Sequence, residues 1–167
     1  MSMTDTFESD ILKLIFNATA IANIADNAAS SPLTNIYVSL HTADPTETGS
    51  QTSSEATYTS YARVAVVRTS SGWTISGTSP TQAANTAQVA FPQCTGGSNT
   101  ISHVGIGTAS SGAGKLLYSG ALVSSLAVST GITPSFSANS LVVTQDWSII
   151  SYTYNYINIS KIMWYIE

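Results

Sequence analysis

Short segments of alternating, often β-branched residues recur along most of the chain and constrain its fold more than any other feature. Turn signals such as Gly, Pro, Asn and Ser separate them at intervals of about 8 to 12 residues, which is typical of a sandwich or small barrel. We therefore predict a mainly β fold, an antiparallel β-sandwich of about eight or nine strands. The predicted strands are 36–41, 61–68, 73–76, 88–91, 100–108, 115–122, 126–128, 132–136 and 141–144.

The connections between these strands carry their own predictions. The turn cluster at 69–72 predicts a hairpin joining the strands on either side of it. Residues 42–60 and 77–86 are polar and are expected to be loops. Two glycines inside the predicted strand 100–108, Gly105 and Gly107, indicate close approach of another segment.

Residues 4–26 are predicted to form an N-terminal α-helix. Asp5 and Glu8 have the spacing of a capping box. Because the apolar residues widen the face beyond one stripe, the helix must be buried broadly. Packing on its own domain and contact with another subunit are equal alternatives. The apolar residues are Ile11, Leu12, Leu14, Ile15, Phe16, Ala18, Ile21, Ala22, Ile24 and Ala25.

The last segment, 147–167, lacks Gly and Pro and is rich in Ile, Tyr and Trp. Tyr152, Tyr154 and Tyr156 alternate with polar residues, so they share one face of a predicted strand. Exposed, this segment would aggregate, so it needs a partner strand in its own domain or in a neighbouring subunit. We therefore expect a helical arm (1–30), a β-sandwich domain (31–146) and a C-terminal aromatic arm (147–167).

The composition excludes several classes of function. Charged residues make up only 8% of the chain, against roughly 25% in an ordinary soluble domain. The abundance of aliphatic and aromatic residues argues against disorder. The net charge of -4 and the scattered basic residues argue against nucleic acid as a partner. No membrane partner is expected either, because no apolar run is long enough to span a bilayer. The acidic N-terminus does not resemble a secretory signal.

No catalytic, cofactor or metal site is predicted. His41 and His103 lie in predicted strands, where histidines satisfied by local hydrogen bonds are the favoured interpretation. Asp44, before a proline, is expected to start a turn. The lone cysteine, Cys94, is expected to be a small buried residue. Calcium binding by Glu47 and Glu55 is a minor alternative, and the glycine-rich stretches 105–110 and 110–115 lack the context of a nucleotide loop.

Trp73, Tyr58 and Tyr61 raise a carbohydrate-binding alternative, because flat aromatic faces stack on sugars. The favoured interpretation of Trp73 is core packing within the predicted hairpin. Exposure of its indole ring would favour the glycan-binding alternative, and complete burial would weaken it.

Several motifs resemble a family of small phage virion proteins, described as tail-fibre-like or head-decoration-like. The most specific is "LHTADP" at 40–45, followed by a glycine, a Glu–Ala pair and "YTSYARV" at 58–64; "FPQC" and "VGIGTASSGAGKLLYSGAL" continue the resemblance. The resemblance implies a virion structural role, a β-sandwich-like fold and no catalytic residues. It ends near Gln145 and does not include the segment from Trp147 onward.

We therefore expect a non-enzymatic, homo-oligomeric virion protein, assembled in the host cytoplasm, whose partners are other virion proteins. Capsid decoration is preferred, because a compact chain without a repeat of about 20 to 50 residues does not resemble a fibre shaft. A tail fibre or neck protein, with or without glycan binding, is the alternative. The predicted interface residues are Ile11, Ile15, Phe16, Trp147, Tyr152, Tyr154, Tyr156 and Trp164.

Overall fold

The computed structural model describes residues 5–20, 33–78 and 81–145. All strand pairings among them are antiparallel, so the predicted mainly β fold with an N-terminal helix is confirmed. No helix in these three ranges is long and apolar enough to cross a membrane. The elements are α1 (Asp5–Phe16), β1 (Asn35–His41), β2 (Val64–Val67), β3 (Trp73–Ser76), β4 (Thr81–Asn85), β5 (Val89–Ala90), β6 (Ser98–Gly107), β7 (Leu116–Ser129), β8 (Ser135–Phe136) and β9 (Val142–Gln145).

The strands form three sheets that share one hydrophobic core. The largest sheet has the order β2-β1-β6-β7, the second the order β3-β4-β9, and β5 pairs with β8. Alternation in β1 sends Ile36, Val38 and Leu40 into the core, since successive side chains of a strand point to opposite faces. The other face of β1 carries Ser39 and His41, which are nevertheless buried, so a further layer must cover them.

The end of helix α1 joins the two larger sheets. Phe16 is fully buried, and its ring centroid lies 4.7 Å from that of Trp73 in β3 and 5.7 Å from that of Tyr118 in β7. Aromatic pairs at such distances add to the stability that burial alone provides. The helix therefore packs within its own chain along the side that carries Leu12 and Phe16.

The helix is shorter than predicted, because contacts from Arg68, the residue after β2, end it. Arg68 donates hydrogen bonds from Nη2 to the carbonyl of Leu14 at 2.7 Å and from Nε to that of Ile15 at 2.6 Å. These carbonyls would accept the next helical hydrogen bonds if the helix continued. Ala18 adopts a φ of 51°, which lies outside the range of a right-handed helix. The part of the prediction over 21–26 lies outside the described residues, as does the predicted arm 147–167.

Three further predictions differ from the structure. The hairpin across 69–72 is wrong, since β2 pairs with β1 while β3 pairs with β4 in another sheet. Residues 81–85, expected to be loop, form the central strand β4, where Ala83 and Ala84 are buried. The two strands predicted at 115–122 and 126–128 are one continuous strand, β7.

Candidate functional site

A group of buried polar side chains holds two loops, residues 42–56 and 108–115, against the large sheet. The group comprises His41, Gln51, Glu55, Tyr61 and Arg63, and is called the polar cluster below. Three members, His41, Gln51 and Arg63, are buried, and the other two are half-buried. Four belong to the motifs "LHTADP" and "YTSYARV" or to the Glu–Ala pair between them.

Arg63 joins both loops through its guanidinium group. Its Nε and Nη2 lie 2.6 and 2.8 Å from the two carboxylate oxygens of Glu55, a bidentate geometry that is strong and directional. Nη1 donates to the carbonyl of Ala109 at 2.8 Å and Nη2 to that of Gly112 at 2.7 Å. The Glu55 hydrogen bonds are the main reason that the pKa of Arg63 is raised, so this cation stays charged.

Tyr61 connects the ion pair to strand β1. Its hydroxyl donates to Glu55 Oε1 at 3.0 Å and accepts from the amide of Leu40 at 3.0 Å. Burial raises the pKa of this hydroxyl, so it remains a donor over the whole range in which the protein is expected to fold. The Glu55 carboxylate thereby accepts hydrogen bonds from both Tyr61 and Arg63, which fixes the loop that carries it.

Gln51 attaches the first loop directly to the second. Its backbone amide donates to Ala113 at 2.8 Å, and its side-chain Oε1 accepts from the amide of Ala109 at 2.9 Å. The Gln51 side chain lies so close to Gly107 that a Cβ there would overlap it. The prediction that glycines in this strand admit another segment is therefore confirmed: the 42–56 loop approaches Gly107, and side chains of β1 and β7 approach Gly105.

His41 is held from both sides of its ring. Nδ1 lies 2.8 Å from the carbonyl of Ser53 and Nε2 lies 2.8 Å from Ser39 Oγ. Because a carbonyl oxygen only accepts, Nδ1 carries the proton and Nε2 accepts from the serine hydroxyl. Burial lowers the pKa of His41, which keeps the ring neutral near pH 7.

The Ser39–His41 pair resembles the nucleophile and base of a hydrolase in distance alone. Both residues are 0% exposed, so neither reaches a substrate in this structure. The Cβ of any residue replacing Gly105 would lie 2.6 Å from His41 Nε2, which leaves no room for a reacting group. The pair is therefore suited to holding β1 against the loop, and the prediction of a histidine satisfied by local hydrogen bonds is confirmed for His41.

The other candidate residues occupy separate places. His103 is half-buried, with Nδ1 2.9 Å from Ser102 Oγ. Asp44 Oδ1 accepts from the amide of Thr46 at 2.8 Å, the turn geometry predicted for it. Cys94 is buried and lies 3.3 Å from the carbonyl of Gly96, in agreement with its predicted role. Glu47 is exposed while Glu55 is engaged by Arg63, so the structure does not bring these two carboxylates together as calcium ligands.

No group of three or more His, Cys, Asp or Glu side chains in the described ranges is arranged to hold a metal ion. An apolar groove of about 220 Å³ lies beside the end of α1 and is lined by Ile15, Leu33 and Leu117 among others. Ligand pockets commonly measure about 300 to 1,000 Å³, so this groove is small for a ligand site. Arg68, which also lines it, is already bonded to three backbone carbonyls.

The aromatic residues considered for glycan binding are not displayed on the surface. Trp73 is 0% exposed and Tyr58 is 3% exposed, and the hydroxyl of Tyr58 donates to the carbonyl of Pro92 at 3.0 Å. Tyr61 belongs to the polar cluster. The favoured interpretation of Trp73 as a core residue is confirmed, and the glycan-binding alternative loses the platform on which it depended.

The predicted interface residues fall into three groups. Ile11 and Ile15 are half-buried on α1, and their use in an interface stays a prediction. Phe16 is covered by its own chain. The remaining predicted interface residues, Trp147, Tyr152, Tyr154, Tyr156 and Trp164, lie outside the described residues.

Sequence reasoning gave no role to Gln51, Arg63 or Arg68, and considered Glu55 only as a minor candidate for calcium binding. Glu55, Tyr61 and Arg63 were marked by the family resemblance, but a motif alone does not say which side chains meet. An arginine inside an alternating strand flanked by core residues is the one signal that was available, because such a charge requires partners.

A family model described as Gp80, podophage GP4 fiber I protein gp80, matches residues 2–144. No curated protein matches the chain. The matched range includes the whole polar cluster and both loops, and it stops before the aromatic segment 147–167.

Replacing Gly105 by alanine is expected to destabilise the fold. The new Cβ would lie 2.6 Å from His41 Nε2, 2.7 Å from Ser39 Oγ and 2.9 Å from Leu116 Cδ1, and such overpacking costs about 1 to 3 kcal/mol. Gly120→Ala in β7 is the matched control, because nothing lies within 4 Å of its Cβ position. Urea unfolding of both variants measures the difference, and equal stabilities would contradict the close packing of Ser39, His41 and Leu116 against Gly105.

Stability is expected to fall as the pH decreases from about 7.5 to about 5.5. The unfolded chain binds a proton at His41 near the ordinary pKa of 6.5, whereas the folded chain does so only at lower pH because burial lowers that pKa. Protonation therefore favours the unfolded state below pH 6.5. His41→Asn should flatten the dependence of the urea midpoint on pH, while the control His103→Asn should retain it. An unchanged slope in His41→Asn would rule out this origin.

Proposed function

We propose, on the premise that the chain belongs to the family of podophage GP4 fiber I protein gp80, that it is a rigid structural subunit of the phage fibre apparatus. Membership makes it a phage virion structural protein of the fibre type. The finer statement, that it is part of a fibre or of its attachment to the particle, is our proposal. Its partners would be other virion proteins.

The observation that carries this proposal is that the side chains of the polar cluster bond to groups of their own chain. Hydrogen bonds of Arg63, Glu55 and Gln51 hold two loops of the same chain together. Loops attached in this way present a fixed surface, and preorganised surfaces bind with a smaller entropic cost. The family description and this internal use of polar groups together favour a non-enzymatic role.

Capsid decoration is the second candidate. The sequence has no repeat of the kind that builds a long shaft, and a compact domain suits a lattice clip as well as a fibre component. A subunit that binds only the assembled shell would stabilise it by mass action. The family description favours the fibre, and we rank decoration below it for that reason.

We propose the division into residues 1–30, 31–146 and 147–167 as the organisation behind this function. Leu12 and Phe16 belong to the core, so α1 anchors the N-terminal part to the β-domain. Segment 147–167 lies beyond the matched range and is proposed as the attachment segment, on the strength of its alternating tyrosines.

Antibody labelling of intact particles is expected to place the chain at the tail fibres. Electron microscopy with gold-labelled antibody, together with the copy number from quantified virion protein, measures this. Labels spread over the shell in hundreds of copies would favour decoration instead. Absence of the chain from purified particles would contradict both candidates.

Deleting residues 147–167 is expected to leave a folded β-domain that no longer enters the particle. The described part of the chain has a core of its own, in which side chains of α1 and of all three sheets pack together, so the circular dichroism spectrum and the urea midpoint should change little. Incorporation is measured in particles from a phage lacking its own copy of the gene, with the full chain supplied in parallel as the control. Undiminished incorporation of the shortened chain would refute the role proposed for this segment.

A further inference from the structure

The free edge of β7 differs from the other strand edges of the protein. β7 has 14 residues and ends the large sheet, pairing only with β6 among the described residues. The opposite edge of that sheet, β2, has four residues, and the outer strands of the second sheet, β3 and β9, have four each. Short edges are one way in which proteins prevent unwanted pairing, and β7 does not use it.

Two other protective devices of edge strands, charged side chains and proline, are also missing from β7. Its sequence, LLYSGALVSSLAVS, contains no charged residue and no proline. Lys115 is the only Asp, Glu, Lys or Arg between residues 69 and 145, so neighbouring loops supply little charge either. An uncharged edge of this length is a template for strand addition.

A bulge in the middle of β7 exposes apolar surface. Ile101 pairs with Leu126 while His103 pairs with Ala121, so the single residue between the β6 partners faces the four residues 122–125. Val123, at this bulge, has a relative exposure of 109%. Bulges often turn an edge away from partners, but this one presents a fully exposed valine instead of a charge.

We propose that β7 pairs antiparallel with β7 of a second copy of this chain, around a two-fold axis near Val123. Val123 lies at the middle of the strand, so the 116–121 run of each copy faces the 126–129 run of its partner. The bulges then meet at the axis, and the two exposed valines cover each other. A two-fold contact of this kind uses the same surface on both subunits.

For two copies paired through β7, the position of Lys115 favours the antiparallel orientation. Lys115 precedes β7 directly, and antiparallel pairing places the two lysines at opposite ends, roughly 40 to 50 Å apart at about 3.3 Å per residue. This separation exceeds the Debye length of about 8 to 10 Å several times. Parallel pairing in register would place the two lysines side by side, where like charges destabilise the pair.

The proposal is tested on the purified full-length protein with a matched pair of substitutions. Val123→Lys places two cations at the axis and should raise the dissociation constant of the dimer by at least about tenfold. Val67→Lys alters an exposed valine on β2, the other edge of the same sheet, which is 38% exposed, and should leave the dissociation constant unchanged. Sedimentation equilibrium measures both, with circular dichroism to verify folding.

Hydrogen exchange of the β7 amides separates the possible occupants. Protection at residues 116–129 that increases with protein concentration, and that Val123→Lys abolishes, supports pairing with a second copy. Protection independent of concentration in a monomer would mean that another segment of the same chain, such as 147–167, covers the edge, and would overturn the proposal. Equal weakening by Val67→Lys, or a dimer with unprotected β7 amides, would overturn it as well. None of these results depends on where the chain lies in the particle.

Discussion

The bidentate pair between Arg63 and Glu55 determines how the two long loops pack. Removing these charges from water is costly, and a buried ion pair is tolerated only when further hydrogen bonds satisfy its remaining donors and acceptors. Here the carbonyls of Ala109 and Gly112 and the hydroxyl of Tyr61 supply them. The pair therefore cannot form unless both loops are in place. Its energetic contribution is less important than this requirement, which selects one arrangement of the loops.

The 42–56 loop covers one face of the large sheet, as a second layer of secondary structure does in other folds. The outer face of β1 and β6 carries Ser39, His41, Gly105 and Gly107, all of them buried. A loop can cover this face only if its own polar backbone groups find partners. Contacts such as the one from the Thr42 amide to the carbonyl of Ser54 at 2.7 Å provide them. Gly107 allows the close approach of Gln51, so the loop and the strand beneath it depend on each other.

The sequence predicted local features well and long-range ones poorly. Alternation identified β1 and β6, and the Asp44 turn followed from its proline, because both signals lie within a few residues. The end of α1 was missed because Arg68, which caps it, is 53 residues away from Ile15. The same limit hid the polar cluster, where Arg63 meets Ala109 across 46 positions. The hairpin at 69–72 failed because a turn signal does not say whether the chain returns to the same sheet.

The small number of charged groups available on the surface suits a protein that functions inside an assembly. Two of the five basic residues, Arg63 and Arg68, are bonded to groups of their own chain, which leaves fewer cations for the surface than the composition suggests. From the start of β3 to the end of β9, the sequence contains a single charged residue, Lys115. Net charge keeps free proteins apart, and a surface so poor in charge offers little resistance to contact with other subunits. A virion subunit is packed among partners, so it can tolerate this surface better than a freely diffusing protein can.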